Sequence, residues 1–429
     1  MRRFLQLDTR VQQLLDFIVK KFGLSTYELT EYYMKQEVNL FHETSYYLYT
    51  EWLPKSIKGQ NNEEEPAGAA TIVIDIHSLL VRTVIFHKGV SYAVDGVQLK
   101  STDLSAVTSW IEQETGKLYQ EDFYLYKQND REYSFRAGVD GIPVSPGCSI
   151  DIALDEQGHI TLFLLNGTFP KSDSVKRDEY RLSGNILEDS IQKQLQLIEL
   201  PILKEKKARY VYAIEEIFVS NDGTSSIPIM MNQKPLVKIN KAIEWDSSGK
   251  QDFKRKEIDW SRDDTVSADV AFANEQSPLI EPITTEELQR GIQAAKSVLQ
   301  HEFPQESGKW NLESYYREHD YLIAVVRAEK QPRKMLQRKL TIAIDKITFE
   351  PLDFMDNQFF VNSMNNFPVE NSLSLTKEVA YEVIRDEVEV TPVYAFQMET
   401  QQYILCGKID CSFAVDAETG QLLSLDEML

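Results

Sequence analysis

The stretch Phe413-Ala-Val-Asp416-Ala-Glu-Thr-Gly420-Gln-Leu-Leu423 alternates into an acidic corner and then returns as an apolar segment. Phe413 and Val415 share one strand face, and Gly420 supplies a positive φ, so the stretch predicts a β-hairpin. Two apolar residues at a spacing of two, followed by Asp or Asn, occur four more times. They are Ile72-x-Ile74-Asp75, Ile152-x-Leu154-Asp155, Val237-x-Ile239-Asn240 and Ile342-x-Ile344-Asp345. The Asp and Asn positions lie 80, 85, 105 and 71 residues apart in chain order. A helix pattern and an aromatic-rich strand precede each one, which predicts tandem copies of one supersecondary unit. At each corner the short side chain is expected to bond the following backbone amides rather than to join a common site.

The rounds can be followed outward from this pattern. In the first, Asp8 caps a helix whose apolar positions run from Val11 to Phe22, and Gly23 stops it. Residues 25–36 read as a second, Tyr-rich helical piece, followed by strands at Tyr46–Trp52, Thr71–Ile76 and Leu79–Phe86, with a polar loop over Gly59–Pro66. In the second, Leu104, Val107, Trp110 and Ile111 form a helical stripe ending near Gly116. Strands follow at Tyr133–Ala137, Ile150–Leu154 and Ile160–Leu164. The third has a stripe of Leu187, Ile191, Leu195 and Ile198 stopped by Pro201, then the strand Arg209–Ile217 and an Asn221-Asp-Gly223 turn. Asp246 to Ser277 lacks period and reads as a linker or long loop, which accounts for the longest interval. Thr284-x-x-Glu287 is a capping-box pattern opening the fourth helix, with strands at Tyr321–Arg327 and Leu340–Asp345 and an irregular aromatic loop over Asp353–Pro368. The fifth has a helix over Leu375–Ile384, strands at Tyr394–Phe396 and Tyr403–Cys406, and the closing hairpin.

Composition bounds the function. The 429 residues include 67 acidic and 46 basic side chains, a net charge of −21 that repels phosphate backbones and argues against a nucleic-acid partner. The one basic cluster, Arg333, Lys334, Arg338 and Lys339, reads as a solvated hairpin end. Three cysteines, Cys148, Cys406 and Cys411, form no disulfide framework. No apolar run of about 18 residues is present, so no membrane span is expected, and the N-terminus has no signal-like apolar core. Cytoplasmic residence is the expectation.

The fifth round, from Leu375-Thr-Lys-Glu-Val379 through Phe413-Ala-Val-Asp416-Ala-Glu-Thr-Gly420, resembles a PepSY domain. The second, Tyr133-Ser-Phe-Arg-Ala-Gly-Val-Asp-Gly-Ile-Pro-Val144 to Asp151-Ile-Ala-Leu-Asp155-Glu-Gln-Gly158, is similar to the YcdB/YcdC-type repeat, a PepSY-like relative found in tandem in Gram-positive bacteria. The resemblance implies an α+β fold of tandem PepSY-like (cystatin-like) units, each an amphipathic helix packed on a small antiparallel sheet. The boundaries that follow are 1–99, 100–180 and 181–246 for units one to three, a linker over 247–283, and 284–372 and 373–429 for units four and five. It also implies no catalytic residues, no cofactor, and a binding or regulatory role toward a protein partner such as a peptidase.

The side chains offer few competing chemistries. None of the six histidines has zincin spacing, and neither a P-loop nor a nucleophile elbow is present, so no metal site is expected. Asp75-x-His77 reads as a strand-edge pair, and Asp151 with Asp155 and Gly158 as a turn lacking the calcium-loop pattern. Cys148 with His159 on the next strand is the alternative for a thiol-dependent hydrolase, since a nucleophile needs a base. A self-associating structural protein is a third possibility. Tyr46, Tyr47, Tyr49 and Trp52 are the candidate contact surface, because aromatic side chains anchor interfaces.

Overall fold

The computed structural model describes residues 7–57, 66–100, 103–183, 185–227, 236–246, 253–260 and 264–428. The loop expected at 59–66 lies outside them except for Pro66. The fold is mixed α+β, and the chain divides into two compact units. The first comprises residues 1–177, 263–277 and 393–404, and the second 178–262, 278–392 and 405–429.

In the first unit, α1 (Thr9–Phe22) is capped as its sequence implies. The Asp8 carboxylate accepts the Arg10 amide at 2.8 Å, and Gly23 takes φ 65° where a Cβ would meet the Val94 carbonyl at 2.2 Å. Residues 25–36 form no α-helix: Ser25 and Thr26 end a single 3-10 turn, Leu24–Thr26, and the rest is strand. Residues 27–36 form most of β1 (Tyr27–Val38), which pairs along nearly its whole length with β2 (Thr44–Pro54). Tyrosines favour strands, and this long ladder outweighs a local spacing compatible with a helix. β3 (Ala70–Asp75) and β4 (Val81–Phe86) complete the first meander. α2 (Leu104–Thr115), capped by Asp103 and Gly116, leads to β5 (Phe123–Asn129), β6 (Glu132–Val139), β7 (Ile142–Ser145), β8 (Ser149–Leu154) and β9 (Ile160–Asn166). β5, β6, β8 and β9 are successive neighbours, and β7 is a short excursion from β6. The two meanders join through their last strands, with Thr83, Val84 and Ile85 of β4 opposite Leu164, Phe163 and Leu162 of β9. The expected small sheets are therefore one continuous sheet, because each meander's bare edge is satisfied by the other. The helices cover one face: Trp110 meets Phe163 edge-on at 5.0 Å, and Lys21 of α1 bonds Glu114 of α2 at 2.7 Å. β10 (Val175–Lys176) closes this part of the chain, parallel to residues 403–404.

In the second unit, α3 (Asn185–Gln194) is shorter than its stripe suggests. Leu195 and Ile198 lie in β11 (Leu195–Ile202), and Pro201 sits within that strand rather than ending a helix. Proline is tolerated there because β11 is an edge of its sheet, with β12 (Lys207–Ile214) on one side and on the other a single bridge at Glu199, whose amide donates to the Arg333 carbonyl at 2.7 Å. β13 (Ile217–Ser220), β14 (Ser226–Ile227) and β15 (Leu236–Ile243) follow. The described part of the expected linker after residue 252 is packed. Phe253 is buried in a core, Lys256 donates its amide to the Leu352 carbonyl at 2.7 Å, and Arg255 and Trp260 both bond the buried Asp353 carboxylate. The chain then contributes β16 (Thr265–Val266), paired with β1, and α4 (Ala268–Ala273) to the first unit.

The capping box forms at α5 (Thr285–Glu302), with Thr284 and Glu287 bonding each other's backbone amides. β17 (Trp310–Glu318), β18 (Tyr321–Ala328), β19 (Lys339–Asp345) and β20 (Pro351–Asp356) make a meander, with β15 added beside β17. The expected irregular loop at 353–368 thus holds the end of β20 and all of α6 (Gln358–Asn365). α7 (Lys377–Ile384), β21 (Glu389–Gln397), β22 (Gln402–Asp410), β23 (Phe413–Asp416) and β24 (Leu422–Ser424) finish the chain.

The third and fifth rounds are not separate meanders. β12 pairs with β23 through Val211–Asp416, Tyr212–Val415 and Ala213–Ala414, while β13 pairs with β22 from Ile217–Ile409 to Ser220–Cys406. Each round's first hairpin is completed by the other round's second. The connections at these points, Glu215-Glu216 and Cys411-Ser412, are two residues long. Folding back over two residues needs positive φ, and none of these four has it, so each strand runs on into the other round's sheet. One core results, with Tyr212, Ile214, Val219, Ala380, Ile384, Ile409 and Val415 in contact.

Candidate functional site

Four of the five marked corners are closed by their acidic side chain. Asp75 Oδ1 accepts the amides of His77 (3.0 Å) and Ser78 (2.8 Å), and Asp345 Oδ1 those of Ile347 (2.9 Å) and Thr348 (2.7 Å). Asp416 Oδ1 accepts Glu418 and Thr419, both at 2.9 Å. In all three, the amide four residues on donates to the Asp carbonyl, and Leu79, Phe349 and Gly420 occupy that place at φ 59°, 62° and 76°. Asp155 closes a shorter turn through Gln157 and His159. Asn240 departs from the expectation: it lies inside β15 at φ 49°, where the register with β17 shifts, and so marks a bulge.

Asp416 has further partners. It is almost wholly buried and touches Arg209 at 3.1 Å and the Asn371 amide at 3.2 Å. Burial pushes its carboxyl up, but the Thr419 and Glu418 amides and Asn371 together outweigh this and hold it below the usual carboxylate range.

The aromatic cluster on β2 divides between two faces. Tyr46 and Trp52 point to the helix side and are buried; the Tyr46 hydroxyl donates to the Glu275 carbonyl at 2.6 Å, and the Trp52 indole to Thr50 at 2.8 Å. Tyr47 points to the opposite face but is also buried, with Arg82 over its ring at 5.4 Å. These three are therefore packing residues, and Tyr49 alone of the four remains partly accessible. Its ring stacks on Tyr33 at 5.1 Å and 9°, Lys35 lies over both rings, and its hydroxyl donates to Glu37 at 3.1 Å. Burial and the Glu37 charge push its phenol upward. Tyr33 and Lys35 escaped the sequence reading because residues 25–36 read as helical; strict alternation in that stretch would have put them beside Tyr49.

Cys148 and His159 are not brought together. Cys148 precedes β8 and His159 follows the turn at its far end, a separation of about 17 Å for the five intervening strand steps. Burial pushes the Cys148 thiol up to about 12, against the pull of Arg82, Arg136 and Lys117. His159 Nδ1 lies 2.9 Å from Asp155. Cys148 borders a cavity of about 300 Å³ together with Tyr124, Arg136, Val144, Gly147 and Ser149.

The remaining candidates have structural partners. His77 Nε2 lies 2.9 Å from the Ala271 carbonyl. The basic cluster lies at the β18–β19 hairpin end and is only half solvated: Arg333 and Lys339 are exposed, whereas Lys334 bonds Glu199 and the Asn365 carbonyl, and Arg338 pairs with Asp356 at 2.7 Å while lying over Phe303. Among the described residues, no group of three His, Cys, Asp or Glu side chains could hold a metal ion, and no helix is long and apolar enough to cross a membrane. No protein-family model, curated protein or solved structure matches the chain.

Proposed function

We propose that this chain is a noncatalytic binding or regulatory protein of tandem PepSY-like units. It holds a protein partner, a peptidase in the reading its closing hairpin suggests, against the open sheet face of its first unit. The observation that carries this reading is that face. Helices α1 and α2 cover one side of the sheet, and the other carries the Tyr33–Tyr49 stack with Lys35 across it. Aromatic rings held rigid by stacking contribute contact area with little side-chain entropy left to lose. The repeated unit draws support from the shared acidic corners at Asp75, Asp345 and Asp416 and from the order of helix and antiparallel strands around them.

The test is affinity capture from the native cell with the wild-type chain and the Tyr33→Ala/Tyr49→Ala double variant as paired baits. A stoichiometric partner on the wild type, depleted at least about tenfold on the variant, is expected. Clean recovery of the wild-type chain alone counts against the proposal.

A further inference from the structure

Tyr124, Arg136 and Ser149 stand in one row across β5, β6 and β8, directly opposite one another in register. All three border the cavity beside Cys148. Arg136 occupies the middle of the row without a carboxylate. Among the described residues its contacts are a long 3.4 Å hydrogen bond to the Phe135 carbonyl and the Tyr126 ring, 4.9 Å from its guanidinium carbon. That is unusual in this chain. Acidic residues outnumber basic ones 67 to 46, and Arg10, Arg209, Arg255, Arg317, Arg327 and Arg338 each hold a carboxylate. The acid closest along the same strand face, Asp151, is two residues beyond Ser149 and accepts the Ser134 hydroxyl at 2.6 Å. Arg82 approaches the same end of the sheet, where it donates to the Gly167 carbonyl at 3.0 Å.

The geometry points to Arg136 and Ser149 as the polar end of a binding site for a small organic monocarboxylate, such as an acidic side chain or the terminal carboxylate of a peptide. A guanidinium presents parallel donors that match the two oxygens of a carboxylate, and the Ser149 hydroxyl adds a third donor. The Tyr124 ring and Val144 supply an apolar wall for the organic part, and about 300 Å³ suits a ligand of roughly amino-acid size. Gly147 keeps that wall close, since a Cβ there would meet the Val144 carbonyl at 2.7 Å. A phosphate dianion fits less well, because the chain's −21 field repels its second charge more strongly.

Equilibrium dialysis of the full chain tests this, with N-acetyl-L-alanine as the carboxylate probe and inorganic phosphate as the comparison. One carboxylate per chain should bind saturably, and Arg136→Gln should weaken it by about tenfold or more. Arg136→Lys, which keeps the charge but not the fork, should recover part of the loss. Should Arg136→Gln fail to fold, Ser149→Ala, which leaves the charge in place, should weaken binding about threefold or more. Absence of saturable carboxylate binding, phosphate binding as tightly as the carboxylate, or carboxylate binding indifferent to folded Arg136 and Ser149 variants would each overturn the inference.

Discussion

Asp416 shows how much one turn residue carries. Its Oδ1 closes the corner, while Oδ2 meets Arg209 and Asn371, so a single carboxylate ties β23 to β12 and to the segment before α7. Because its folded pKa is depressed, its stabilisation is present above the unfolded value of about 3.9 and is lost as pH falls through the lower folded value. Asp416→Asn should therefore cost about 1–3 kcal/mol at pH 7, and the gap to wild type should narrow toward pH 3 in urea unfolding. A gap unchanged with pH would mean that the charge is not what matters. Gly420 makes a separate prediction. There is room for a Cβ, with Leu375 at 3.7 Å, so a substitution meets backbone strain at φ 76° rather than a clash. Gly420→Val should destabilise by about 1–2 kcal/mol, and Gly420→Asn by less, in thermal unfolding.

Helix ends were the most legible elements. Asp8 and Thr284 cap the helices expected after them, because a cap needs only a short side chain and the next three amides, and Asp103 and Thr376, not singled out as caps from the sequence, cap theirs in the same way. Strands were less legible. β5, β17 and β20 fall in stretches assigned no strand, and β1 in one read as a helix, since a strand depends on a partner outside any local window. Which of the four candidate aromatics stay accessible was hidden for a related reason. Alternation separates Tyr46 and Trp52 from Tyr47 and Tyr49, but it does not say which face the helices take. The supposed linker makes a prediction at this scale. Residues 253–260 are strapped to β20 through Asp353, and Trp260→Ala or Asp353→Ala should loosen the strap. Trypsin should then cut at Lys254, Arg255 or Lys256 at least several-fold faster than in the native chain, with mass spectrometry locating the cut.

At the scale of the whole molecule, the mixed α+β character was readable, but the crossed pairing of β12 with β23 and β13 with β22 was not. Asp75, Asp155, Asp345 and Asp416 mark turns between paired strands, but only the backbone at Glu215-Glu216 and Cys411-Ser412 shows that β12 and β22 run on into other hairpins. A shared core implies shared stability. Val415→Ala, at a fully buried position, should cost about 2–3 kcal/mol and lower hydrogen-exchange protection in β12, some 200 residues earlier, as much as in β22. Protection lost in the fifth round alone would show that the two rounds unfold independently.

The crossing also bears on how the protein is made. Val211 leaves the ribosome roughly 200 residues before its partner Asp416, a delay of about 10–40 s at ordinary elongation rates. Throughout that interval β12 and β13 are nascent strands with open edges, the kind of surface that recruits unwanted partners. Synthesis of β22 and then of the last hairpin ends that exposure for a segment translated half a chain earlier.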